Sequence, residues 1–131
     1  MLDKNAALAI AERYAGAVVN EFSPFAVVLF GSYTNGNANG ESDIDVGVVF
    51  DGFNGDWIKT SARLWDIAYD ISWDIEPHML DTAQDKSGFA RHVLKAGKVI
   101  YKRSPYLDMI DRSIEQLARD EGKAHELIEA E

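Results

Sequence analysis

Two short clusters in this chain hold residue types that can do chemistry. Asp43-Ile44-Asp45 stands at the head of the apolar run Val46 to Phe50, and Gly31-Ser32 follows directly on the apolar run Phe25 to Phe30. Alternate residues of a strand share a face, so a strand here sets Asp43 beside Asp45 and turns Ile44 away. Two carboxylates that close repel each other unless a cation lies between them. An all-oxygen pair of this kind suits Mg2+ or Mn2+. A glycine at a strand end lets backbone N–H groups approach a phosphate, and a helix start just after it favours negative charge. A phosphate cradle and metal-binding carboxylates on adjacent strands are the parts of phosphoryl or nucleotidyl transfer. Taken singly, Asp-X-Asp and Gly-Ser are ordinary turn chemistry.

The elements that must position these clusters can be read from periodicity. Residues 3–20 read as a helix with Asp3 as N-cap and a stripe of Ala7, Ala11, Tyr14 and Val18. Phe25 to Phe30 is continuous and rich in β-branched residues, as a buried strand should be. Ser32 is expected to open a short helix that dissolves in the Asn35-to-Gly40 loop. Ile44 to Phe50 is the second strand, in which Gly47 weakens the strand or lets a neighbour approach. Asp56 caps a helix from Trp57 to about Tyr69, and the three tryptophans read as packing residues rather than a base-stacking platform. Residues 84–96 read as a helix closed by Gly97, followed by a last strand, Lys98 to Lys102. Ser104-Pro105 starts a final helix reaching about Gly122, with an apolar stripe beside a dense acidic face.

A third strand is expected within Asp70 to Leu80. With period two, Ser72, Asp74, Glu76 and His78 line one face and Ile71, Trp73 and Ile75 the other. Asp74 and Glu76 are thus either acids on a solvated face or additions to the carboxylate pair. The histidines, His78, His92 and His125, are scattered and do not read as a zinc site.

Composition bounds the partners. The chain has 131 residues, the size of one domain, and 47% hydrophobic content, enough for a core. No apolar run is long enough to span a membrane, and Met1-Leu-Asp-Lys-Asn does not resemble a signal peptide. There is no cysteine, which excludes disulfides and fits a cytoplasmic protein. A net charge of −9 argues against DNA or RNA as partner, while ATP remains accessible because a cation carries the charge.

Gly31-Ser32, ten residues, then Asp43-Ile-Asp45 between two apolar strands, within the segment Ser42 to Val46, resembles the DNA polymerase β-like nucleotidyltransferase superfamily. Within it the chain resembles the minimal nucleotidyltransferases, small stand-alone domains, over roughly residues 27–103. The resemblance implies an α+β fold with a small mixed sheet and helices packed mainly on one face. It implies one domain over 1–131, with its catalytic core at 25–103. It also implies two Mg2+ ions, or Mn2+, with ATP as substrate. Asp43 and Asp45 would ligate metal, and Gly31 and Ser32 would hold the phosphates. Asp74-Ile75-Glu76-Pro77 resembles the family's third-carboxylate element, with Asp74 the first candidate and Glu76 the second. The family's best-understood role is as antitoxin, adenylylating a tyrosine on a HEPN-type toxin; a small-molecule adenylyltransferase and a non-catalytic binding antitoxin are the alternatives. One departure stands out. Where many members follow Gly-Ser with arginine, this chain has Tyr33-Thr34-Asn35-Gly36, leaving phosphate charge to the metals and to residues elsewhere.

Overall fold

The computed structural model describes residues 3–31 and 43–103. Ser32, the short helix expected from it, the Asn35-to-Gly40 loop, the C-terminal helix expected over 104–122 and His125 lie outside the described residues. In chain order the described elements are α1 (Lys4–Glu21), β1 (Ala26–Phe30), β2 (Ile44–Phe50), α2 (Trp57–Ile71), β3 (Ile75–Asp81), α3 (Phe89–Ala96) and β4 (Lys98–Lys102).

The four strands form one sheet in the order β3-β2-β1-β4. β1 runs antiparallel to both β2 and β4, and β2 pairs in parallel with β3 through the α2 crossover. Mixed pairing and helices packed chiefly on one face are the α+β architecture expected from the sequence. β3 is an edge strand, the position in a sheet that tolerates Pro77, which has no N–H to donate.

Each sheet face has its own core. On one, Val27, Leu29, Ile44, Val46, Val48 and Ile75 pack against Ala7, Tyr14 and Val18 of α1 and Leu64, Ile67 and Ala68 of α2. Tyr14 is fully buried and donates its hydroxyl to the Leu64 carbonyl at 2.9 Å, tying the two long helices together. The same burial pushes the Tyr14 hydroxyl pKa up. On the other face a smaller cluster of Ala26, Val28 and Val49 is covered by Val93 of α3. Gly47 makes that approach possible, since a Cβ there would stand 3.2 Å from Val93 Cγ1.

Caps fix where the helices start. Asp3 accepts from Ala6 N–H at 2.7 Å and Asp56 from Lys59 N–H at 3.0 Å. Three boundaries differ from the sequence expectation. α2 continues to Ile71, which packs against the main core, and Ser72 closes it through an N–H bond to the Ala68 carbonyl. Residues 73–74 are a turn, so β3 begins only at Ile75. α3 starts at Phe89 rather than Gln84, because Gly88 is left-handed at φ 79° and Asp85 accepts from the N–H groups of Ala90 and Arg91. The tryptophan-bearing side of α2 is also more open than a core face: Ile58 is 80% exposed and Trp73, just beyond the helix, 82%. Tyr69 stacks on Trp73 with ring centroids 4.9 Å apart.

Candidate active site

The neighbours of β2 decide what its acids meet. β2 presents Asp45, Gly47 and Val49 to the face that carries α3, while Ile44, Val46 and Val48 enter the main core. In register, Asp45 lies opposite Phe30 of β1 and Glu76 of β3, and Gly47 lies opposite His78. Three donor groups therefore converge: carboxylate oxygens of Asp45 and Glu76 and a ring nitrogen of His78 all lie within 4.8 Å of one another. His78 Nε2 is 3.1 Å from Asp45 Oδ1 and 3.8 Å from Glu76 Oε2. The imidazole is held edge-on to Phe30, centroids 5.0 Å apart, and Phe30 in turn meets Phe89 of α3 edge-on.

Asp43, on the residue before β2, is exposed, and its carboxyl hydrogen-bonds Glu76. The Glu76 carboxyl is held above its ordinary value of 4.5. Burial is the largest cause, the Asp45 charge follows, and the hydrogen bond and charge of Asp43 add to them against the opposing pull of His78.

Gly31 closes the third side. It ends β1 in a left-handed conformation, φ 83°, and a Cβ built on it would collide with Asp45 Oδ2. Glycine is thus needed twice, for the backbone angle and for the carboxylate packed against it. Ser32, the other phosphate candidate, lies outside the described residues.

Of the residues picked out from sequence, the structure brings Gly31, Asp43, Asp45 and Glu76 together. Asp74 is placed otherwise. It is exposed in the turn before β3, where its N–H donates to Ser72 Oγ at 3.1 Å and its carbonyl accepts from Ile44 N–H at 2.7 Å. It does not belong to the Asp45–Glu76–His78 group. The sequence places His78 on the polar face of β3 and, with the scattered histidines, offers no zinc site; it does not join His78 to the carboxylates. The signal that could have found it is that alternation itself, Glu76 and His78 being two apart on one strand.

The donor set fits a divalent cation. Two carboxylates and an imidazole are all metal-ligand types, and the carboxylates are frustrated without positive charge between them. A cavity of about 390 Å³, lined by Phe53, Gly55, Trp57, Asp81 and Gln84, lies at the far end of β3, roughly 16 Å along the strand from Glu76. Its carboxylate, Asp81, is already committed to three backbone N–H groups.

The sequence matches the family model described as Polymerase beta, Nucleotidyltransferase over residues 16–106, well over half of the chain. The chain belongs to this nucleotidyltransferase family. No curated protein sequence matches it significantly. Among solved structures it is similar to a nucleotidyltransferase candidate from Sulfolobus solfataricus at 24% identity, with a TM-score of 0.58 over 76% of this chain and 84% of that one. It is also similar to a chain of a toxin-antitoxin with AMP-PNP, at 19% identity and TM-score 0.53, over 89% of this chain and 98% of that one. A chain from a mutant of the toxin-antitoxin MntA-HpeT aligns at 16% identity and TM-score 0.51, over 97% and 99% of the two chains. These likenesses show a shared fold. Family membership, with the Asp45–Glu76–His78 cluster, supports a nucleotidyltransferase-type catalytic role. Among the described residues no helix is long and apolar enough to cross a membrane.

Proposed function

We propose that this nucleotidyltransferase moves AMP from ATP, with Mg2+, onto a hydroxyl of a partner protein, a tyrosine of a HEPN-type toxin, and so acts as an antitoxin. The observation that carries the reading is the parallel β2–β3 register, which sets Asp45 beside Glu76 within reach of Asp43, while the end of β1 packs Gly31 on Asp45. Asp43, Asp45 and Glu76 would hold the cation, with Glu76 taking the place first given to Asp74. Bound there, the cation would neutralise phosphate charge and stabilise the leaving pyrophosphate. Gly31 and Ser32 would hold the β and γ phosphates. The acceptor oxygen bonds to the α-phosphorus as the bond to the bridging β-phosphate oxygen breaks. The hydroxyl proton passes to a carboxylate of the cluster, and pyrophosphate leaves. The chain contributes mainly position and charge.

Two features support a protein acceptor. Among the described residues every element belongs to the sheet or to a helix of the same fold, and none forms a separate acceptor lobe. The structural likeness extends to whole chains of toxin-antitoxin assemblies, one of them described with AMP-PNP. The test is co-expression with the protein encoded beside this chain, followed by intact mass spectrometry of that partner. The expected result is a gain of one or more adenylyl masses that disappears with Asp45→Asn. A partner bound and silenced without a mass change would instead establish a binding antitoxin. A partner neither bound nor modified, alongside an adenylylated metabolite, would sink the antitoxin reading.

A further inference from the structure

We infer that His78 is a direct ligand of the cation held at the Asp45–Glu76 pair, and that its imidazole shifts the site's preference from Mg2+ toward Mn2+. The inference rests on the reading of this cluster as a metal site. Three observations carry it. First, Nε2 lies close to both carboxylates, 3.1 Å from Asp45 Oδ1 and 3.8 Å from Glu76 Oε2. Ligands about 2.1 Å from an octahedral ion stand about 3 Å apart along an edge and about 4 Å across the centre. Both separations fall within that range before any side chain moves. Second, the ring is positioned from several sides. It is on a strand, opposite Gly47, and lies edge-on to Phe30, which is itself braced by Phe89. A ligand fixed by packing loses little freedom on binding. Third, the side chain is only 28% exposed, so the imidazole is more than a solvated surface group near two acids.

The choice of ion follows from donor chemistry. Mg2+ is a hard ion that keeps oxygen ligands and gives up its waters reluctantly. Exchanging one oxygen for an imidazole nitrogen favours a first-row transition ion, and two carboxylates beside it still suit Mn2+. A purely structural His78 would hydrogen-bond Asp45 and leave ion preference unchanged.

Pulsed electron paramagnetic resonance of Mn2+ bound to the full chain tests this without reference to activity. The wild type should show modulation from a directly bound imidazole nitrogen. His78→Gln should lose it, and His92→Gln, on the exposed face of α3, should keep it. Competition between the ions should show the preference for Mn2+ over Mg2+ falling by about tenfold in His78→Gln. Mn2+ bound to the wild type with no nitrogen modulation would overturn the inference and leave the metal site standing. Unchanged ion preference in His78→Gln would do the same. A wild type that binds no Mn2+ or Mg2+ would overturn both the inference and the metal-site reading.

Discussion

Strand β3 carries a carboxylate near each end, and the surroundings treat the two in opposite ways. Asp81, its last residue, is 7% exposed, yet its carboxyl is held below the ordinary value of 3.8. Burial acts to raise it, but N–H groups of Gly52, Phe53 and Ala83 donate at 2.8, 2.7 and 2.8 Å and outweigh burial. Glu76, near the other end, has a more exposed side chain, 41%, and is nevertheless pushed up. Burial acts in the same direction on both acids and does not set them apart. What differs is the company: three donors surround one carboxylate, two carboxylates crowd the other. Asp81 fastens the loop after β2 to the end of β3, just ahead of the Asp56 cap of α2, and serves the fold. Glu76 is left with unbalanced charge where a cation could supply what the protein does not, which is the local inconsistency expected of a functional site.

Removing the satisfied carboxylate should have the largest effect on stability. Asp81→Ala strips three N–H groups of a charged acceptor at once and should cost about 3 kcal/mol, read from urea or thermal unfolding. A loss under about 1 kcal/mol would mean that water replaces the side chain, and the contrast with Glu76 would weaken. Glu76→Gln should act in the opposite direction. Like charges directly opposite on neighbouring strands destabilise by about 0.2–1 kcal/mol, so stability should hold or rise within that margin. Divalent cation affinity, measured by calorimetry, should fall by about tenfold or more. A variant that loses stability while keeping its affinity would show that the frustrated acid is structural after all.

The same strand shows how much of the site can be read without coordinates. The placement of Gly31, Asp43 and Asp45 is legible because it depends on local facts: a strand end, alternate residues on one face and a glycine where the chain turns. The four strands are legible from apolar runs interleaved with helical stripes, and the mixed sheet follows from the family resemblance. Which of Asp74 and Glu76 lies beside Asp45 is not legible, because it depends on where α2 stops. Period two runs unbroken through Ser72, Asp74 and Glu76, but Ile71 is drawn into the core and prolongs the helix, turning Trp73 and Asp74 into a reversal. Only then does the register pair Asp45 with Glu76. The start of α3 was missed for a related reason. Its cap is Asp85, several residues upstream of the helix, reached through the left-handed Gly88. The carboxylate packed on Gly31 is likewise a tertiary fact, since Asp45 comes from a different strand.

The smallest expected effect separates the two acids by pH. A carboxyl with a depressed folded value, such as Asp81, contributes stability that is complete above its unfolded value of about 3.9 and is lost as pH falls through the folded one. A carboxyl with a raised folded value, such as Glu76, does the reverse. Its contribution is complete below the unfolded value of about 4.3 and is lost as pH rises through a folded value above 4.5. Cation-free wild type should therefore show two limbs in a plot of unfolding midpoint against pH, an acid limb and a shallower decline above 4.5. Glu76→Gln should flatten the shallow limb and leave the acid one. Asp81→Ala should reduce the acid limb without abolishing it, because burial at Asp85 is likewise outweighed by the N–H groups of Ala90 and Arg91 and that carboxyl is also depressed. The Glu76 limb is the weaker because its side chain is partly exposed and solvent screens its neighbours. Saturating Mg2+ should erase that limb in the wild type, since the cation takes over the balancing of charge that protonation otherwise provides. If the limb persists unchanged with Mg2+ bound, Glu76 is not facing the ion, and the third ligand must be sought elsewhere on β3 or in the turn at Asp74.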